Sequence, residues 1–259
     1  MSAQAPHIFT PEYYEQLARF ELHHPWSAHM RGLTFALLDR FSAGRAMDRV
    51  LDAGCGAGYF LQVWRERGRI PLAVGLDCAC DGLRLGRSRG LKHLAAGSVA
   101  ALPFPARLFD AVHCADVLQH LDTEAARRTL AEFARVLRPG GLLLVRTAAR
   151  RGLGAKKHRD TADYQQWEPE KLRAWLAPCG FRVEWMSLIN WLPSLAADLR
   201  AWRQPAPGGD VGLRTAAAPP GGLRQSLLAA YWRMEEGLLL RLRCRLPGGH
   251  TLLCVARKP

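Results

Sequence analysis

Paired cysteines are missing from this sequence. Its seven cysteines, at 55, 78, 80, 114, 179, 244 and 254, form no CxxC pair and are odd in number, so neither a disulfide framework nor a zinc cage is expected. Cys78 and Cys80 alone are too few to hold a metal, and the seven read as small buried residues without a metal site. No apolar run approaches the roughly 20 residues that span a bilayer. The first residues, with Pro6, Glu12 and Glu15, lack a charged-then-apolar leader pattern, so the expected location is cytoplasmic. Acidic charge is short as well, with 23 Asp and Glu against 36 Lys and Arg, a formal net charge of +13. Such a surplus attracts phosphate backbones. Here the arginines are scattered among abundant Ala, Gly and Pro and lysine is scarce, which is a chain-wide bias rather than one basic face, and nucleic acid is not the favoured partner. An acidic, phosphorylated or anionic-lipid partner stays open.

What is present suits one packed domain. With 259 residues, 49% of them hydrophobic, the chain can bury one substantial core, and a doubly wound α/β domain with an insertion fits better than two independent domains. The stretch Val50-Leu51-Asp52-Ala53-Gly54-Cys55-Gly56-Ala57-Gly58-Tyr59-Phe60 reads as a strand, a tight turn and a helix start. Glycines at every second position allow sharp bending and close approach of a ligand to the main chain. A helix opening near Tyr59 presents main-chain N–H groups and a positive dipole end there. The pattern is D-x-G-x-G-x-G, not the G-x-G-x-x-G of pyrophosphate binding. A second apolar run, Pro71 to Leu76, ends on Asp77, at the distance from the loop where a ribose-binding acid is expected.

These two spaced signals resemble the class I S-adenosylmethionine-dependent methyltransferases, and later segments strengthen the likeness. Leu102-Pro103-Phe104 is similar to the family's L-P-F turn, Asp116-Val117-Leu118-Gln119-His120-Leu121 to its D-V-L-x-H-L segment, and the run Arg135 to Leu142 to its R-V-L-R-P-G-G-x-L run. Tyr13, Tyr14, Glu21, His24, Trp26 and Arg31 resemble the aromatic, acidic and basic residues that a bacterial subgroup acting on small molecules places before the glycine loop, although Pro25 stands where a second Trp often follows the His. The resemblance implies a Rossmann-like, doubly wound, seven-stranded and mostly parallel sheet, with an N-terminal helical segment and a helical insertion before the last strand. It implies S-adenosyl-L-methionine as cofactor. Asp52, Gly54, Cys55, Gly56 and Gly58 would hold its methionine end, with Asp52 receiving the amino group; Asp77 and Cys78 would meet the ribose, Ser98 and Val99 the adenine, and Ala115 the sulfonium. Many relatives carry Asp where Ser98 stands, and a serine hydroxyl can still accept a hydrogen bond.

The remaining elements follow from pattern. Residues 1–47 form a helical cover, with helices after Thr10 and over Ala28 to Arg40. Strands are expected over Leu91 to Ala96, Phe109 to Cys114, Leu142 to Arg146, Phe181 to Leu188 and Thr251 to Ala256, the last as a hairpin-like edge return. Thr123 is expected to cap a helix through Val136, and Pro169 to open another. Residues 48–189 make the Rossmann-like core, 190–249 a helical cap and 250–259 the final strand. In the cap, a helix from Leu195 toward Trp202 precedes a Pro-, Gly- and Ala-rich link over 204–222. A long helix follows whose buried stripe is expected at Leu227, Tyr231, Met234, Leu238 and Leu242, with Glu235 on the other side.

Ligands gather outside the carboxyl ends of parallel strands, which makes Asp116 and His120 the catalytic candidates. His120, with an ordinary pKa near 6.5, can accept a proton at neutrality or simply anchor its loop. The expected activity is methyl transfer to an oxygen or nitrogen of a small molecule such as a secondary metabolite, a sugar or a lipid-linked precursor. Two alternatives stand beside it: an RNA methyltransferase using the basic stretch 150–159, and a non-catalytic cofactor-binding scaffold. The cap helices, basic and tryptophan-bearing, could also rest on a membrane surface or a protein.

Overall fold

The computed structural model describes residues 11–42, 44–68, 70–149, 165–203, 222–241 and 245–259. Two helices come first, α1 (Pro11–His23) and α2 (Pro25–Ser42), followed by an alternation of β1 (Arg49–Ala53), α3 (Tyr59–Arg67), β2 (Leu72–Asp77), α4 (Cys80–Ser88), β3 (Leu94–Ala96) and β4 (Phe109–Ala115). A 3-10 turn (Leu118–His120), α5 (Thr123–Val136), β5 (Leu137–Ala148), α6 (Pro169–Leu176), β6 (Arg182–Ile189), α7 (Trp191–Arg203), α8 (Leu223–Leu240) and β7 (Thr251–Arg257) complete the chain. The link expected over 204–222 and the basic stretch 150–159 lie almost wholly outside the described residues.

The seven strands form one sheet in the order β3-β2-β1-β4-β5-β7-β6. Strands β1 to β5 pair in parallel, and β7 runs antiparallel to both β5 and β6. The seven-stranded, mostly parallel Rossmann-like sheet is as expected, but β7 is no edge return: it lies between β5 and β6, which leaves β6 at the margin. Its apolar run Leu252 to Ala256 is fully buried, as an interior strand's must be. The strand order reverses between β1 and β4, and a crevice opens outside their carboxyl ends at such a reversal.

Helices cover both faces. Leu130, Phe133 and Val136 of α5 and Leu172 and Leu176 of α6 pack on one; Met30, Leu33 and Leu37 of α2, Leu61 and Trp64 of α3 and Leu83 of α4 pack on the other. Each such side chain contributes roughly 1.5 to 3 kcal/mol by burial.

Local departures from the sequence expectations have plain causes. Asp122, not Thr123, caps α5, because its carboxylate accepts the Ala125 N–H at 2.7 Å. Strand β3 starts at Leu94 rather than Leu91, and α7 starts at Trp191 rather than Leu195. Strand β5 begins at Leu137, paired with Phe109, and runs through the Pro-Gly-Gly segment expected as a turn. On α8 the expected stripe fails at Leu227 and Met234, which are 62% and 53% exposed, while Tyr231 and Leu238 are half-buried, Leu242 lies outside the described residues, and Trp232, Glu235 and Leu239 are buried. Glu235 turns inward because its carboxylate accepts the N–H groups of Asn190 and Trp191, both at 3.1 Å, at the start of α7, and the Tyr231 hydroxyl donates to it. The stretch expected as a cap therefore has α8 against α2, where the His29 and Trp232 rings stack 5.7 Å apart.

Candidate active site

The glycine loop joins β1 to α3 at the sheet's reversal point. Gly54, Gly56 and Gly58 all have positive φ, of 82, 54 and 74°. At Gly54 the lack of a side chain is also a matter of space, since a Cβ there would come 2.1 Å from Val117 Cγ2. Four of the loop's N–H groups, those of Gly54, Cys55, Gly56 and Gly58, turn inward. Those of Gly54 and Cys55 both donate to Leu76 O, at 2.7 and 3.0 Å, and that of Gly58 to Cys55 O at 2.8 Å. The loop wraps the end of β2, and satisfying these buried donors internally fixes its shape.

Asp77 closes that wrap. Its Oδ2 accepts the Gly56 N–H at 2.7 Å and its Oδ1 the Ala79 N–H at 2.9 Å, while the Tyr14 hydroxyl donates from 3.5 Å. Burial pushes this carboxyl above its usual range, opposed by the two amides. The Tyr14 phenol is pushed far up by burial and by the Asp77 charge, so it stays a donor. Tyr14 and Leu17 of α1 lie over Gly56, each 3.7 Å from where its Cβ would be. Helix α1 thus lies against the loop.

Asp52, expected to receive the amino group, already holds one partner. It is 3% exposed, and His113 Nδ1–H of the neighbouring β4 donates to its Oδ1 at 2.8 Å. The register that places Asp52 opposite His113 makes this pair, and Phe60 stacks on the imidazole at 4.0 Å. Cys55 is buried and its thiol is pushed up by that burial. Cys78 is exposed immediately after Asp77. Ser98 is exposed and its Oγ accepts the Ala100 N–H at 3.2 Å, while Val99 is buried against Leu76 and Leu102.

At the end of β4, half-buried Ala115 stands opposite Arg146 of β5. Asp116 follows with φ 58°, an uncommon conformation for a residue with a side chain. Two contacts to Arg146 hold it there: its N–H donates to Arg146 O at 2.8 Å, and its Oδ2 accepts from Arg146 Nε and Nη2 at 3.0 and 2.6 Å. The guanidinium lies 5.3 Å over the Trp26 ring. His120 ends the 3-10 turn, half-buried, with its N–H on Val117 O at 2.9 Å. Buried Gln119 anchors that turn to β5, accepting the Ala148 N–H at 2.8 Å.

A further set of charges sits over the loop. The Glu21 carboxyl of α1 is buried within electrostatic reach of Arg146, Asp52, Arg31 and Arg89, and burial raises it to about 7. Its Oε2 has no hydrogen-bond partner. Arg31 donates to Glu21 O at 2.7 Å and lies 4.4 Å over the Tyr59 ring. Arg89, just after α4, donates to Ala57 O, while its buried Nε and Nη1 have no partner. Sequence reasoning picked out Glu21 and Arg31 but missed Arg146, Arg89 and His113. A lone charged residue ending the apolar run Leu142 to Val145 was the available signal for Arg146; Arg89 offered none. No group of acidic, His and Cys side chains among the described residues could hold a metal.

The chain matches a methyltransferase domain family over residues 51–145. It is 41% identical over 104 residues to a malonyl-acyl-carrier-protein O-methyltransferase of Serratia marcescens, which covers 39% of each chain. To the enzyme of that name from Salmonella typhimurium it is 31% identical over 190 residues, covering 72% of this chain and 64% of the relative. The matches thus span about two-fifths to under two-thirds of these relatives. A crystal structure of a SAM-dependent methyltransferase from Archaeoglobus fulgidus shares the fold, with a TM-score of 0.56 at 19% identity, covering 88% of this chain and 94% of that one. The matched stretch opens on β1 and ends inside β5, the span that carries the loop, Asp77 and the β4 turn, and over residues 51–145 the chain carries a methyltransferase domain.

Proposed function

We propose that the protein transfers a methyl group from S-adenosylmethionine to an oxygen or nitrogen of a small-molecule acceptor. The observation that carries this reading is the Asp77 carboxylate, fixed at the tip of β2 by the Gly56 and Ala79 amides. A carboxylate has about four acceptor sites, and these amides use two. A ribose diol would take the others, one by displacing the long Tyr14 contact. The residues therefore fit the cofactor, with Cys78 beside the ribose and Val99 forming an apolar wall for the adenine. The exposed Ser98 hydroxyl would then meet its edge, and Ala115 is small enough to let the sulfonium approach the end of β4. Bound there, the cofactor supplies an electrophilic methyl group.

The chain's part is then to hold an acceptor in line and exclude water. Asp116 and His120 follow Ala115 in the chain, and Arg146 stands opposite it on β5. The conformation of Asp116 depends on Arg146, which makes Asp116 a positioning residue for the loop, whereas His120 can take a proton from an alcohol, phenol or amine. The two bacterial relatives, by name, methylate a malonyl group on a carrier protein; a carboxylate acceptor of that kind needs no base, and Arg146 is the cation that would meet it. We therefore place an acyl carboxylate, free or presented on a carrier protein, first among acceptors. Neither the RNA-directed nor the scaffold alternative gains a favouring feature among the described residues. No described helix is long and apolar enough to cross a membrane.

Calorimetric titration with S-adenosylmethionine tests the reading. Micromolar binding is expected, lost in Asp77→Ala with the circular dichroism spectrum unchanged; intact affinity in that variant refutes the assignment. Release of S-adenosylhomocysteine with short dicarboxylic acyl thioesters, free acids, sugars and phenols then separates the acceptor classes.

A further inference from the structure

The amino-acid end of a class I cofactor carries both an ammonium and a carboxylate, and the structure leaves one buried acceptor and two buried donors unmatched beside the glycine loop. The acceptor is Glu21 Oε2. The donors are Nε and Nη1 of Arg89, whose remaining Nη2 is tied to Ala57 O in the loop itself. The two side chains are within electrostatic reach of each other. The other carboxylates of this region already have partners: Asp52 Oδ1 takes His113, Asp77 takes the Gly56 and Ala79 amides, and Asp116 Oδ2 takes Arg146. The other cation from the N-terminal segment, Arg31, has Nη1 on Glu21 O and its plane on Tyr59.

Buried polar atoms are rarely left without partners, and an unmade hydrogen bond to a charged group is expensive. An unmatched carboxylate oxygen within electrostatic reach of unmatched guanidinium donors is complementary to an α-amino acid zwitterion, with one partner for each pole. We propose that Glu21 and Arg89 together bind the amino-acid end of the cofactor, Glu21 taking the α-ammonium and Arg89 the α-carboxylate, so that helix α1 supplies part of the cofactor site. The assignment rests on the functional reading above. It moves the ammonium receptor from Asp52, where the sequence pattern placed it, to a residue 31 positions earlier on the covering helix.

Two ligands that differ only in this end provide the test: S-adenosylhomocysteine, which has it, and 5′-methylthioadenosine, which does not. In Glu21→Gln and in Arg89→Met, affinity for S-adenosylhomocysteine falls roughly ten- to a hundredfold, the value of a hydrogen bond to a charged group, and affinity for 5′-methylthioadenosine changes less than about twofold. Glu21→Asp, which restores the carboxylate, recovers part of the loss. Equal losses for both ligands, or none for S-adenosylhomocysteine, overturn the assignment while leaving the cofactor reading intact. Failure of the unsubstituted protein to bind either ligand overturns both. Melting curves of each variant show that the comparison is between folded proteins.

Discussion

Replacing Glu21 by Gln has a second consequence, for stability in the absence of ligand, and its sign is opposite to its effect on binding. The carboxyl is pushed from 4.5 to about 7, first by burial and then by the Asp52 charge on β1, with Arg146 from β5, Arg31 from α2 and Arg89 after α4 pulling the other way. A pKa raised in the folded state means that folding favours the protonated acid. Below pH 4.5 both folded and unfolded chains carry the proton and nothing is lost. Between 4.5 and about 7 the unfolded chain gives up its proton first, so stability declines as pH rises; above about 7 the loss is complete. Carried through, that shift amounts to roughly 3 kcal/mol. Gln fills nearly the same volume and does not titrate. Urea unfolding of both proteins at intervals from pH 5 to 8.5 should therefore show Glu21→Gln gaining on the unsubstituted chain, from under about 1 kcal/mol at pH 5 to roughly 3 kcal/mol at pH 8. Subtracting one curve from the other cancels what the remaining groups do. A difference that stays flat across this range refutes the claim that Glu21 is buried and poorly compensated, and with it the basis for assigning it a ligand.

Two other expectations concern separate parts of the molecule. Glu235→Ala leaves the Asn190 and Trp191 N–H groups at the start of α7 without their buried acceptor and should lower stability by roughly 2 to 3 kcal/mol in urea unfolding; a loss under about 0.5 kcal/mol would show that α8 does not hold α7 in this way. His120→Gln separates acceptor chemistries: with an alcohol or phenol acceptor its turnover should drop roughly a hundredfold, whereas with a carboxylate acceptor it should fall less than about tenfold. Equal losses in both cases would make His120 an anchor of its turn and not a base.

Legibility in the sequence followed the range of each interaction. The glycine loop and Asp77 could be read because their meaning lies in spacing along some two dozen residues, and the core strands because parallel strands buried on both faces are near-continuous apolar runs. Pairings across the sheet were not legible. Asp52 meets His113, and Asp116 meets Arg146, only through the registers of β1 on β4 and β4 on β5, which no local pattern encodes. The misread stripe of α8 has a different cause. Leu227, Tyr231, Trp232, Met234, Leu238 and Leu239 put apolar side chains nearly all around that helix, so a 3.6-residue period does not select a face. The choice was made by Glu235, which follows its hydrogen-bond partners inward. Asp122 and Thr123 are adjacent and equally able to cap, and only the bond to Ala125 distinguishes them.

The commitment of Asp52 to His113 has a consequence for how the site is assembled. With one oxygen of that carboxylate tied within the sheet, the proposed site draws its ribose partner, Asp77, from the rigid part of the fold and its ammonium partner from elsewhere. The unmatched carboxylate belongs to α1, a helix that reaches the loop through Tyr14 on Asp77 and through Tyr14 and Leu17 over Gly56. A ligand bearing the amino-acid end thus gives α1 a reason to stay docked, whereas the nucleoside alone does not. On the Glu21 assignment, cofactor binding and the docking of α1 are linked, because the docked helix is what brings Glu21 to the loop. Hydrogen exchange follows directly: amides of α1 should slow with S-adenosylhomocysteine and remain near their free rates with 5′-methylthioadenosine, and equal protection by both ligands would separate closure from the Glu21 contact.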